Sequence, residues 1–129
     1  MRFLLDTHCW LWLQMAPERI SGSTMDLLGD PDNDLYLSAA SAWEIAIKNS
    51  LGKLPLPLPP DQYVTTRLEM SGTISLSISH RHALRVSDLP FHHHDPFDRL
   101  LVAQAQVEEL ALVTADRNLA AYELDLVWT

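Results

Sequence analysis

Four acidic residues stand where chemistry could be done. Asp6 directly follows the apolar run Phe3-Leu4-Leu5, and Asp116 comes two residues after Ala111-Leu112-Val113-Thr114. Glu44 lies six residues past Ser38, between Trp43 and Ile45 in an apolar stretch, where a charge needs a reason. Asp98 lies in the first turn of the helical segment Asp95–Glu108. Carboxylates gathered without compensation repel one another and raise each other's pKa. A divalent cation removes that penalty. Magnesium takes an oxygen shell and keeps several of its waters, so a few carboxylates suffice. Such a site suits phosphodiester hydrolysis, in which water attacks in line and one or two ions stabilise the charges that develop. Each acid also has a plainer explanation: Asp6 and Asp116 as helix N-caps, Asp98 as a partner to Asp95 at a helix start, and Glu44 as an i, i+4 partner of Lys48.

The elements that must position these acids alternate between two periodicities. Arg2–Leu5, Leu35–Ser38, Thr73–Ile78, Ala111–Thr114 and Leu124–Trp128 read as strands, and Ile74, Leu76 and Ile78 share one face. His8–Met15, Glu18–Leu28, Ala40–Leu51, Asp61–Met70, His80–Ser87, Asp95–Glu108 and Arg117–Tyr122 read as helical, with Asp61 or a neighbour as a cap. Between them, the prolines of Leu54–Pro60 impose an extended loop. Strands alternating with helices predict βα units. The expected fold is a three-layer α/β/α domain around a central, mainly parallel sheet. In such sheets ligands bind outside the carboxyl ends of the strands. Asp6 and Asp116 belong to that edge, and Glu44 and Asp98 can reach it from the helices that follow.

The chain has 129 residues, enough for one domain over 1–129 and too few for two. At 47% hydrophobic and 20% charged it is globular in composition. No apolar run approaches the roughly 18 residues of a membrane span, and the acid at position 6 interrupts any secretory leader. One cysteine, Cys9, excludes an internal disulfide and points to a reduced, cytoplasmic setting; a buried thiol explains it better than a nucleophile. The net charge of −8 counts against nucleic-acid binding, but bound cations reverse the local field of an acidic site.

Four segments resemble, in order, the motifs of PIN domains, especially those of the VapC-like toxins of bacterial toxin–antitoxin pairs. They are Phe3-Leu4-Leu5-Asp6-Thr7-His8, Ser38–Ile45 built around Trp43-Glu44, Asp95-Pro96-Phe97-Asp98-Arg99-Leu100-Leu101-Val102-Ala103-Gln104-Ala105, and Leu112-Val113-Thr114-Ala115-Asp116. A lone Asp-Thr or Trp-Glu is weak; the third motif is specific, and the four together span almost the whole chain. The resemblance implies a PIN fold and a Mg2+-dependent endoribonuclease, with Mn2+ as an alternative ion, cleaving an RNA substrate. It carries catalytic and metal-binding roles onto Asp6, Glu44, Asp98 and Asp116, with Asp6 and Asp98 the firmest ligands. Thr7 and Thr114 would support ligands or water through their hydroxyls, and Asp95 would cap a helix. Arg99 and Arg117 would either meet RNA phosphate or neutralise neighbouring acids. A homodimer and a cognate antitoxin that blocks the site are implied as partners. Leu54–Pro60, Trp10 and Trp12 are candidate contact surface, although loop and core roles explain them more simply.

His92-His93-His94 precedes Asp95, where relatives commonly carry arginine at the place of His94. Adjacent histidines do not readily converge on one ion, so the run reads as a polar loop beside the site. A haloacid-dehalogenase-type phosphohydrolase also begins with an acid after its first strand, but it needs a second Asp two residues on, and His8 stands there. The remaining alternatives are a PIN nuclease outside any toxin pair and a silent PIN-like binding module.

Overall fold

The computed structural model describes residues 1–129. Its strands are β1 (Arg2–Leu5), β2 (Asp34–Ser38), β3 (Ile74–Leu76), β4 (Ala111–Thr114) and β5 (Leu126–Trp128). They form one sheet in the order β3-β2-β1-β4-β5, and every pairing is parallel. The expected "mainly parallel" sheet is thus wholly parallel.

Alternation along the strands builds two cores. Phe3 and Leu5 of β1 point to one face, with Leu35, Leu37, Ala111 and Val113. Leu4 and Leu112 point to the other. Both faces are covered, which is why β1 and β4 are apolar at nearly every position. The first face packs on α1 (Thr7–Met15), α2 (Gly22–Gly29), α4 (Pro60–Ser71) and Ile45 of α3 (Ala39–Ser50). The second packs on α6 (Pro96–Glu108), whose outer side receives α5 (His80–Arg85).

Several boundaries differ from the sequence reading for local reasons. Glu18–Leu28 is not one helix. A single 3-10 turn, Pro17–Arg19, gives way to extended backbone at Ile20, and the Ser21 hydroxyl accepts from Thr24 N–H to start α2 afresh. The cap of α4 is Pro59 rather than Asp61, with Pro60 at its first position, where a missing N–H costs nothing. Thr73–Ile78 contracts to Ile74–Leu76, a short edge strand with Ile74 and Ile78 largely exposed. Arg117–Tyr122 is a 3-10 segment, Arg117–Ala121.

Trp10 is no contact surface: it is fully buried, with its indole N–H donating to Thr73 Oγ1. Trp12 is half-buried beneath the Arg19 guanidinium. Leu54 and Leu56 of the proline-rich loop pack against the core, leaving Leu58 outside. No helix is long and apolar enough to cross a membrane.

The topology also says where a site belongs. From β1 the chain steps outward to β2 and β3, then crosses back to β4 on the other side of β1. The order therefore reverses between β1 and β4, and that switch point opens a crevice at their carboxyl ends.

Candidate active site

Asp6 and Asp116 follow the two strands that flank the switch point. The Asp6 N–H donates to Val113 O at 3.0 Å, which ties it to the end of β4. One carboxylate oxygen, Oδ1, caps α1 by accepting from Cys9 N–H at 2.7 Å. Asp6 is only 8% exposed. Burial raises its pKa above the ordinary carboxylate range and the Glu44 charge adds to this; the Thr114 hydroxyl, the Cys9 N–H and His8 oppose it.

Asp116 divides its oxygens between two tasks. Oδ1 caps the 3-10 segment through Asn118 N–H at 3.0 Å, and Oδ2 meets His93 Nε2 at 2.9 Å. Its own N–H donates to Thr114 Oγ1, so Thr114 is fully buried at the floor between Asp6 and Asp116. Thr7, also buried, donates to Ser41 Oγ at 2.9 Å and joins the start of α1 to α3.

Glu44 is 5% exposed on α3, and Lys48 one turn on holds its Oε2 at 2.7 Å. Its neighbour Trp43 is 59% exposed and packs edge-on against Phe97, with ring centroids 5.2 Å apart. Glu44 is therefore buried on a helix whose adjacent apolar residue faces outward.

Asp98 is the third residue of α6. Asp95 caps that helix, its Oδ1 accepting from Phe97 N–H and Asp98 N–H. The Asp98 side chain does not return the favour as a capping box would. Its Oδ2 instead lies 3.1 Å from His93 Nε2. Burial, then the charge of Asp95, push the Asp98 carboxyl up to about 7; Glu44 and Asp6 add to the rise, and His93 opposes it.

His93 is the residue that sequence reasoning left outside the site. Its Nε2 reaches both Asp98 and Asp116, and the ligand atoms of the three lie within 4.8 Å of one another. Asp6 and Glu44 lie outside this tight trio but close enough that their charges act on Asp98. His92 and His94 are exposed, so the middle histidine alone turns inward. Loop backbone without a regular period decides this, and no spacing in the sequence reports it.

Neither reading of Arg99, as a phosphate contact or as a neutraliser of the neighbouring acids, fits its surroundings. The side chain is 5% exposed and points away from the acids. Its guanidinium donates to the carbonyls of Pro90, Val86 and Leu89 and to Tyr122 Oη, and Phe91 stacks over it at 4.2 Å. Successive helix residues point about 100° apart, so a residue beside Asp98 cannot share its direction. Arg117 is exposed and lies over the Trp128 ring at 4.0 Å.

A divalent cation fits this donor set on two grounds. The oxygens are hard carboxylate donors of the kind magnesium and manganese take. The raised Asp98 and Asp6 carboxyls show mutual repulsion and desolvation that a cation would relieve.

A wholly parallel α/β sheet with carboxylates gathered at its switch point defines the class: an α/β domain built around an acidic site. The family model of the PIN domain matches residues 3–124, and the chain belongs to that family. Among its relatives, Ribonuclease VapC16 of Mycobacterium tuberculosis is 51% identical over 59 residues, 46% of this chain and 42% of that protein. The chain thus matches less than half the length of VapC16. Ribonuclease VapC22 of the same organism is 28% identical over 121 residues, covering 92% of this chain and 90% of the relative. The fold is that of VapBC2 from Rickettsia felis bound to a promoter DNA fragment, with a TM-score of 0.73 at 16% identity over 100% and 99% of the two chains. DNA-bound VapBC from Salmonella typhimurium aligns with a TM-score of 0.69 at 14% identity over 99% and 98%.

Proposed function

We propose that this chain is a divalent-metal-dependent endoribonuclease acting as the toxin of a type II toxin–antitoxin pair. The observation that carries the reading is the set of four carboxylates, drawn from four separated segments, at the switch point of a PIN fold. Relatives named as VapC ribonucleases support RNA as the substrate, and fold neighbours described as a toxin–antitoxin complex and as a member of the VapBC toxin–antitoxin family support a cognate antitoxin.

Asp6, Asp98 and Asp116 would hold the cation, with Glu44 binding it directly or through water. When bound, Mg2+ or Mn2+ supplies Lewis-acid stabilisation of phosphate charge and makes water more acidic. The protein's own groups do the rest. Asp6 is fixed by the Cys9 N–H and the Thr114 floor, so its free oxygen has one direction to face. Glu44, anchored through Lys48 on α3, orients the attacking water by accepting its hydrogen bond. Thr7 braces α1 against α3, and so holds Asp6 and Glu44 in register.

The test is cleavage of a structured RNA with Mg2+ or Mn2+, comparing the parent with Asp6→Asn. The expected result is metal-dependent cleavage by the parent and a loss of at least about 100-fold in the variant. Equal rates, or no metal-dependent product from the parent, would overturn the nuclease reading. The toxin role is read separately: expression of the chain alone should arrest growth, and co-expression of its antitoxin should restore it. Harmless expression removes the toxin role and leaves nuclease activity standing. A silent binding module would not need four converging acids at an energetic cost to the fold, and for that reason the enzymatic reading is preferred.

A further inference from the structure

We propose that His93 is a built-in competitor of the cation: its imidazole N–H donates to Asp116 and lies against the Asp98 carboxylate, where the metal would sit, and it must swing aside for loading. The proposal rests on the metal reading above.

The argument turns on which ring nitrogen carries the proton. Asp95 N–H lies 3.2 Å from His93 Nδ1 and is a backbone amide, able only to donate. Nδ1 must therefore present its lone pair. The proton of the neutral ring is then on Nε2, which donates to Asp116 Oδ2 at 2.9 Å, while Asp98 Oδ2 lies 3.1 Å from the same nitrogen. A ring held this way has no lone pair left at Nε2 to give a metal. It bonds Asp116 and faces Asp98 with a partial positive charge, at the place where a cation would meet both with a full one.

The loop is fastened at both ends to keep the ring there. Arg99 grips the carbonyls of Val86, Leu89 and Pro90 on the approach, and Asp95 caps α6 on the exit. Between the fastenings lies the short span from Phe91 to His94, three of whose four residues are exposed. Rotation of the His93 side chain alone, at the cost of its bond from Asp95 N–H, frees the ring and leaves Arg99 and the Asp95 cap in place.

The competing reading, His93 as a direct ligand, requires the proton to move to Nδ1 and face the Asp95 N–H. The two readings predict opposite signs for one measurement. Mn2+ binding to the full chain is followed by titration calorimetry after chelator treatment, with folding checked by circular dichroism. Removal of the competitor in His93→Ala should tighten Mn2+ binding by about tenfold, the scale of one charged hydrogen bond lost per tenfold change. His93→Gln, which keeps an N–H at similar reach, should stay within about threefold of the parent. His93→Asn, whose amide falls short, should follow alanine and serves if the alanine variant fails to fold. Unchanged or weaker binding in His93→Ala overturns the proposal, as does a glutamine variant that binds as tightly as alanine. Asp98→Asn separates the two levels of inference. If it abolishes Mn2+ binding while His93→Ala leaves binding unchanged, the proposal alone falls. If the parent binds no better than Asp98→Asn, the metal reading falls and takes the proposal with it.

Discussion

Replacing Asp98 with asparagine should make the protein more stable while removing its proposed activity. The carboxyl is held at about 7, against an ordinary 3.8. The folded protein therefore binds this proton more tightly than the unfolded chain, and the ionised side chain works against folding. The sign follows from linkage: the penalty is absent below pH 4, grows as pH rises from about 4 to 7, and is complete above that. Three units of pKa correspond to about 4 kcal/mol, and screening of a side chain 24% exposed to solvent brings this to about 2 kcal/mol. Asparagine has the same shape and has no such charge. In chelator at pH 8, Asp98→Asn should resist urea by about 2 kcal/mol more than the parent, or on the order of 6–8 °C in Tm. At pH 5 the gain should fall to less than half. With Mn2+ at about 100 times its dissociation constant, binding returns about 2.7 kcal/mol to the parent alone, and the order of stabilities reverses. A variant less stable than the parent at pH 8, or a gain that is the same at pH 5 and pH 8, would refute the account of a strained acidic site.

Arg99→Ala should cost about 3 kcal/mol in denaturant unfolding, because three loop carbonyls lose a buried charged donor together. Arg99→Lys should not restore this, since a single ammonium cannot span the fork of acceptors. Cys9 is fully buried, and burial pushes its thiol far above the usual range. It should ignore a thiol reagent at pH 8 in the native protein and react fully in denaturant; rapid native labelling would contradict the packing of α1.

Much of this arrangement is legible in residue order because strand ends are legible. Phe3-Leu4-Leu5 and Ala111-Leu112-Val113-Thr114 are apolar without alternation, which demands a sheet covered on both faces, and the first acid after each must then lie at one edge. For Asp6 and Asp116 the capping explanation and the site explanation turn out to be compatible, because each carboxylate has two oxygens and the cap uses Oδ1. Glu44 was marked by apolar company on both sides, yet Trp43 is exposed, so half of that signal came from a residue facing solvent. The directions of Arg99 and His93 are illegible in residue order for opposite reasons. Arg99 is near Asp98 in sequence and turned away by helix geometry. His93 lies in irregular backbone, where direction depends on the Asp95 amide and the Arg99 clamp rather than on any period. Ser21 likewise splits an apparent helix because its hydroxyl offers a new start that hydrophobic spacing does not register.

The central position of β1 has a consequence in time. It is synthesised before the other four strands, yet its neighbour β4 begins more than 100 positions later, and the acid that follows β4 comes later still. No growing chain shorter than about residue 116 can contain the complete acid cluster. A half-made copy emerging from a ribosome holds an incomplete set of carboxylates, and the site is assembled only once the sheet has closed around β1.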